Sequence, residues 1–404
     1  MHGSEVRVGI DLTALLPEAT GVDVALVGLV RALARTDRET AYSIFVNRED
    51  RGLFAGTLPE NFALRALSVR PRAARLAFQQ AVLPIAAVRL RLDVLHSPSF
   101  ILPLVRATAR HVLTIHDMTS FSRPRDHIRL RRSPLYLAAV RASVARADVV
   151  VVPSRAVEIS IARYLGAAAA ERVRVVPWGV ADDFRPDPPD EARRRLHRLA
   201  LPPSYVLYVG TIEPRKNVLG LLGAYRRLVE RRGDAPTLVL AGRRGWGEDE
   251  VLRELARPEL RARVRRLGYV PASELPALYA GATVFAYPSF EEGFGFPPLE
   301  AMACGVPTIA TAGSSLAENL AGAAELVPAG DVAALADALD ALLRDGARRA
   351  DLRARGTERA RAFRWDETAR RHVAVYRALA PAAAEAKLAQ GVAEGGDACQ
   401  AWRR

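Results

Sequence analysis

The sequence predicts an α/β protein of two parallel-sheet domains that face each other across a cleft. Three observations carry this. Short apolar runs alternate with helix-spaced stretches, the pattern of strand–helix–strand units. The alternation pauses near residue 180, over a segment rich in proline and aspartate, and then restarts. The chain of 404 residues is also longer than one hydrophobic core usually serves.

The elements follow in order. Val6–Leu12 reads as a buried strand, and Gly21–Ala34 carries helical spacing through Val22, Leu26, Leu29, Val30 and Leu33. Tyr42–Val46, Phe62–Val69, Val94–His96 and Val112–His116 are further strands. Leu135–Ala145 reads as a helix, and Ala147–Pro153 as a strand covered on both faces. Val173–Val180 and the Asp182–Pro189 stretch read as the connection between domains. Tyr205–Gly210, Thr237–Ala241, Ala282–Tyr287 and Val306–Ala310 are strands of the second half, with a helix over Val218–Glu230. The expected division is 1–178 and 179–366. Residues 381–404, rich in Ala and Gly, are expected to be a flexible tail.

Composition narrows the class. The chain is 50% hydrophobic and 25% charged, which is globular rather than disordered. The longest apolar blocks, such as Ala81–Val88, are too short to span a bilayer, and Met1–Arg7 runs straight into a strand without a secretory leader. Two cysteines, Cys304 and Cys399, leave no disulfide framework. A cytoplasmic location is expected, with peripheral contact at the inner face of a membrane as an extension. The net charge is +13, almost all of it arginine. Residues 1–178 hold 25 Arg and no Lys against 15 Asp plus Glu, a net of +10. Genome bias toward arginine explains such an excess. An anionic partner, including a weakly held membrane surface, explains its asymmetry.

The chemistry concentrates in Ser289–Pro307. A strand ends at Tyr287, a glycine-spaced loop follows, and Pro297-Pro298 sit where a helix should start. Gly305 sits where it should stop. Such a turn offers free backbone N–H groups to an anion. Glu292 lies in the loop and Glu300 is expected in the first helical turn, where capping would also explain a carboxylate.

Glu292 and Glu300, seven residues between them, within Glu291-Glu292-Gly293-Phe294-Gly295-Phe296-Pro297-Pro298-Leu299-Glu300, resemble the signature of retaining glycosyltransferases of family 4, which have the GT-B fold. Gly210–Asn217 resembles that family's donor-phosphate loop. Leu267-Gly268-Tyr269-Val270 resembles its base-binding strand. Ile115-His116-Asp117 and His96-Ser97-Pro98 resemble its acceptor-side motifs, and Trp365–Ala369 its crossover into the last helix.

The resemblance implies two Rossmann-like domains, a helix at about 367–380 that crosses back to the first domain, and the following roles. Arg215 and Lys216 would hold the donor diphosphate, with Gly295 and Phe296. Glu292, Gly293 and Phe294 would meet the donor sugar, Glu300 the ribose, and Tyr269 with Val270 the base. His116 and Glu292 would be catalytic. Gly21, His96 and Asp117 would lie on the acceptor side, and Ser314-Ser315 with Glu318 on a second donor-side loop, unless they only cap a helix. Thr211 stands where some members carry arginine. Arg123, Arg125, Arg129, Arg131 and Arg132 read either as a solvated face or as a basic rim at the acceptor mouth.

The expected partners are a GDP- or UDP-sugar donor, GDP-mannose first, and a glycan, lipid-linked or small-molecule acceptor, with no nucleic acid. No Asp-x-Asp appears where a metal-dependent transferase would hold Mn²⁺, so no metal or other cofactor is expected. The competing readings are a nucleotide-sugar epimerase or a phosphorylase on the same frame, and a non-catalytic basic binding protein for nucleic acid or membrane. A phosphorylase needs a lysine linked to pyridoxal phosphate, for which Lys216 and Lys387 are poorly placed. The basic binding protein predicts steep salt dependence and leaves the Glu292–Glu300 loop without a role.

Overall fold

A computed structural model describes residues 6–105, 108–128, 130–186, 190, 194 and 197–380. The expectation for residues 381–404, and that for Arg129, lie outside the described residues. Two parallel sheets are present. The first has seven strands in the order β3-β2-β1-β4-β5-β6-β7, running from β1 (Arg7–Asp11) through β2 (Ala41–Asn47), β3 (Phe62–Leu67), β4 (Val94–Ser97), β5 (Arg110–Thr114) and β6 (Val149–Val152) to β7 (Val173–Val175). The second has six in the order β10-β9-β8-β11-β12-β13: β8 (Tyr205–Val209), β9 (Thr237–Ala241), β10 (Val264–Gly268), β11 (Val284–Tyr287), β12 (Thr308–Thr311) and β13 (Glu325–Val327). Inner strands of both sheets are buried apolar runs: β6 is four buried valines and β8 five buried residues. Each sheet reverses its strand order once, between β1 and β4 and between β8 and β11. Open α/β sheets bind ligands beyond the carboxyl ends of strands at such switch points.

Two differences from the sequence reading concern the first sheet. Residues 173–175, read as connection, pair with β6 as its edge strand. β5 stops at Thr114, so His116 lies two residues beyond the strand rather than at its end.

The chain crosses between the sheets twice, side by side. Val180 N donates to Phe363 O at 2.9 Å, and Trp178 lies 6.1 Å from Trp365, centroid to centroid. The last helix, Trp365–Leu379, then packs along the first, Gly21–Thr36. Arg35 pairs with Asp366 at 3.2 Å, and Arg377 with Glu39 at 2.8 Å. The buried contacts carry more weight: Tyr376 Oη lies 2.8 Å from His96 Nδ1, and Thr368 Oγ1 donates to Pro177 O at 2.7 Å. Exposed ion pairs contribute little, whereas buried rings exclude water over a large area.

Candidate active site

The loops after β8 and β11 meet. After β8 the chain turns tightly through Pro214–Lys216, and Asn217 takes a left-handed conformation (φ 53°) while its side chain caps Gly220 N at 3.2 Å. This turn delivers two adjacent cations inward instead of to solvent. Lys216 Nζ lies 2.6 Å from Glu292 Oε1, and Arg215 Nη1 2.9 Å from Glu292 Oε2. Arg215 Nη2 also reaches Glu213 at 2.9 Å, and its Nη1 donates to Glu291 O at 2.8 Å. Lys216 lies 2.6 Å from Tyr287 Oη. Arg215 and Lys216 retain only 12% side-chain exposure each.

Glu292 is heavily coordinated. Ser289 Oγ donates to it at 2.5 Å and Tyr287 Oη at 3.0 Å. Its backbone N donates to Ser314 Oγ at 2.9 Å, and its O accepts from Ser315 Oγ at 2.9 Å. Burial alone would push its carboxyl up. Arg215 and Lys216 outweigh burial and hold it down at about 2. The same burial lowers Lys216, with Arg215 acting in the same direction and Glu292 opposing. The cluster is therefore a fixed carboxylate bridging two cations, away from bulk water.

The loop beyond it is shaped by glycine. A Cβ on Gly293 would fall 1.7 Å from His116 O, so the second half can approach the first this closely only through glycine. Gly295 is left-handed (φ 91°) and turns the chain into the helix Phe296–Ala303, whose first turn holds Pro297 and Pro298. Glu300 is not in that first turn, contrary to expectation. The helix begins at Phe296, which places Glu300 in its second turn, where capping is geometrically excluded. It accepts from Tyr279 Oη at 3.0 Å, and burial raises its carboxyl to about 7 despite that bond.

From the first half, His116 and Asp117 meet this loop. His116 Nε2 donates to Pro98 O at 2.8 Å, since a carbonyl only accepts, and burial lowers its pKa. The residue is 6% exposed, its ring packed between Phe100 and Trp178, and its backbone carbonyl faces Gly293. Asp117 accepts from Thr119 N at 2.9 Å; burial opposes ionisation, but Arg215 and Arg131 hold the carboxyl at about 2. Gly21 lies within van der Waals reach of Phe296, bringing the first helix to the start of the signature helix. Between Asp117, Tyr164, Phe290 and Glu291 a cavity of about 260 Å³ separates the halves.

Known proteins resemble this chain in sequence and in fold. The family model for glycosyl transferases group 1 matches residues 190–360, and that for glycosyltransferase family 4 matches residues 19–184. An O-antigen chain mannosyltransferase B of Escherichia coli is 36% identical over 292 residues, 70% of this chain and 74% of that protein. The chain belongs to the GT-B glycosyltransferases. Solved structures agree on the fold. Sucrose-phosphate synthase of Thermosynechococcus elongatus superposes with a TM-score of 0.76 at 23% identity, covering 93% of this chain and 99% of that one. HepE of Anabaena, in complex with UDP-glucose, gives 0.74 at 18% identity, covering 91% and 98%.

Not every expected residue of this glycosyltransferase reaches the cluster. His96 does not. It is fully buried, held by Tyr376 Oη and by Thr114 Oγ1, each at 2.8 Å, behind the strand ends. Its bond to Tyr376 links this strand to the last helix. Tyr269 is exposed at the end of β10 and Val270 is buried beside it. Glu318 accepts from Arg155 N at 3.2 Å and Ala156 N at 3.1 Å, capping a helix of the opposite half, Arg155–Leu165, rather than lining the loop. One residue escaped the sequence reading. Arg243 Nε lies 3.4 Å from Thr211 Oγ1, bringing a guanidinium to the position where Thr211 replaces an arginine. Its signal was the Gly242-Arg243-Arg244-Gly245 turn directly after β9.

Proposed function

We propose that this enzyme is a retaining family 4 transferase that moves a hexose, mannose first, from a nucleoside diphosphate sugar to a hydroxyl of a glycan, lipid-linked or small-molecule acceptor. The observation that carries the proposal is the buried bridge of Arg215 and Lys216 to Glu292, set at the loop that opens the Phe296–Ala303 helix. Two buried cations at a loop that opens a helix suit a diphosphate. Arg215 Nε finds no acceptor among the described residues, and a phosphate oxygen would supply one. Arg243 adds a third cation beside Thr211.

Charge develops on the leaving diphosphate as the glycosidic bond breaks, and fixed cations stabilise that state more than the ground state. Glu292, already ionised, would sit beside the sugar carbon where positive charge grows. Glu300 would accept from the ribose hydroxyls, and Tyr269 would stack on the base. The His116 carbonyl and Asp117 would face the sugar from the other half. Mannose rests on the O-antigen mannosyltransferase relative and favours GDP as carrier. The UDP-glucose complex of the structural neighbour keeps UDP as the second choice.

Metal independence rests on the missing Asp-x-Asp and on three arginine and lysine cations in its place. The domains would divide at 178/179, with the last helix returning to the first. Among the described residues no helix is long and apolar enough to cross a membrane, and a cytoplasmic location follows as part of the proposal. The test is nucleoside diphosphate release from a panel of GDP- and UDP-sugars, with and without EDTA. Turnover of one donor, unchanged by EDTA, is expected. Loss with EDTA and rescue by Mn²⁺ would refute the way the diphosphate is held.

A further inference from the structure

Asp117 ends a chain of hydrogen bonds within the first half. Its Oδ1 accepts from Thr119 N at 2.9 Å and from Thr119 Oγ1 at 2.5 Å. Thr119 Oγ1 in turn lies 2.8 Å from His127 Nε2. The one hydroxyl proton of Thr119 is committed to a carboxylate, which only accepts, so the hydroxyl oxygen accepts from the ring. His127 Nε2 therefore carries a hydrogen, and the order is imidazole to hydroxyl to carboxylate. Thr119 and His127 are both buried.

The local turn does not need the histidine. Thr119 opens a helix of four residues, Thr119–Ser122, and its two bonds to Asp117 already close the turn before it. His127 comes from eight positions further on and adds something else. With its oxygen held by the ring, the Thr119 hydroxyl can rotate its proton only toward Asp117, and the carboxylate is fixed in turn. Asp117 Oδ2 takes no hydrogen bond among the described residues. Asp117 lines the cavity of about 260 Å³ between the halves, together with Glu292 and Gly293 of the signature loop. Burial lowers the pKa of His127, and Asp117, Arg131, Arg215 and Glu213 all act on it. Arg215 and Glu213 belong to the second half, so the chain of bonds lies where the two halves face each other.

We propose that His127 and Thr119 are positioning residues for sugar transfer: they fix Asp117 so that its open oxygen orients the attacking hydroxyl toward the sugar carbon. The proposal rests on the sugar-transfer reading and adds residues to it. In the transfer the hydroxyl oxygen bonds the sugar carbon while that carbon's bond to the diphosphate breaks. The electron pair leaves with the diphosphate, and the hydroxyl proton passes to a diphosphate oxygen. Burial raises the Asp117 carboxyl, but Arg215 and Arg131 hold it at about 2. So weak a base does not take that proton. Asp117 orients the hydroxyl without deprotonating it, which makes its direction, and hence the two side chains that set it, decisive.

The test is kcat and donor KM of variants of the full chain, read as nucleoside diphosphate release from the GDP- or UDP-sugar that wild type hydrolyses, with water as the attacking hydroxyl. Each variant is assayed below its unfolding midpoint, so a loss of stability alone leaves kcat unchanged. Thr119→Val keeps the shape and removes the hydroxyl: kcat is expected to fall about tenfold with donor KM unchanged, and Thr119→Ser to restore it. His127→Leu should match Thr119→Val, and the double variant should be no slower than either single one, because both act through one oxygen. Asp117→Asn keeps Oδ1 for the turn and replaces the open oxygen with a donor, so kcat should fall by about a hundredfold. Normal kcat in Thr119→Val and His127→Leu, a loss that Thr119→Ser does not restore, additive losses in the double variant, or a rise in donor KM in place of the fall in kcat would overturn the proposal. If wild type hydrolyses no donor of the panel, the sugar-transfer reading fails and this inference with it. If wild type turns a donor over and the variants match it, this inference fails alone.

Discussion

Glu292 and Glu300 are the same residue type in one loop-helix unit, and their surroundings drive them apart. Glu292 sits between two cations with its carboxyl at about 2; Glu300 has a tyrosine hydroxyl and little else, and rises to about 7. Glu300 is therefore an expensive carboxylate. Folded it takes up its proton near 7, unfolded near 4.5, so its ionisation costs nothing below pH 4.5 and about 3 kcal/mol above pH 7. Glu300→Gln should raise the unfolding temperature at pH 8 and leave it nearly unchanged at pH 5, which a thermal scan at both values checks. A carboxylate kept at that cost has a use. If it accepts from ribose hydroxyls, the same variant should raise the donor KM about tenfold with kcat little changed, because the contact is equal in ground and transition states. In the wild type, the donor KM should rise as pH falls through 7, and in Glu300→Gln that dependence should vanish.

At the scale of elements, the signature loop was legible because glycine and proline punctuate it: Gly295 starts the helix, Pro297 and Pro298 fill its first turn and Gly305 ends it. Arg215 and Lys216 were legible as cations in a tight turn. Their sealing onto Glu292 was not, since it depends on how closely the loops after β8 and β11 approach, a tertiary distance that no local pattern encodes. The bond of His96 to Tyr376 was not legible either, because it joins a strand to a helix 280 residues further along the chain. The tightest approach of elements is Gly293 against the His116 carbonyl. Gly293→Ala would force these loops, and with them the two halves, apart instead of unfolding either. The expected result is a kcat lowered by about a hundredfold, an unchanged unfolding midpoint and a larger radius of gyration by small-angle scattering. His116→Ala, which removes a ring wedged between Phe100 and Trp178, should lower kcat with little change in donor KM.

Over the whole molecule, the two sheets are held in one arrangement by the paired crossings at Trp178–Val180 and Phe363–Trp365. Trp365 is buried, touches Trp178 and lies 6.4 Å from Phe296 at the site. Trp365→Ala should cost about 3–5 kcal/mol, seen as a lowered urea midpoint, and should also slow turnover because the signature helix loses its support. The two-sheet frame was readable from alternation and spacing. Side-chain pairing across the cleft was not. The claim on which the account depends is that Glu292, bridged to Arg215 and Lys216, acts where charge develops during sugar transfer. The most direct measurement is kcat of Glu292→Gln, with the donor that wild type turns over and with EDTA present. The account predicts a fall of about a hundredfold or more with donor KM changed far less, and a folded protein by circular dichroism. A near-normal kcat in that variant would contradict it.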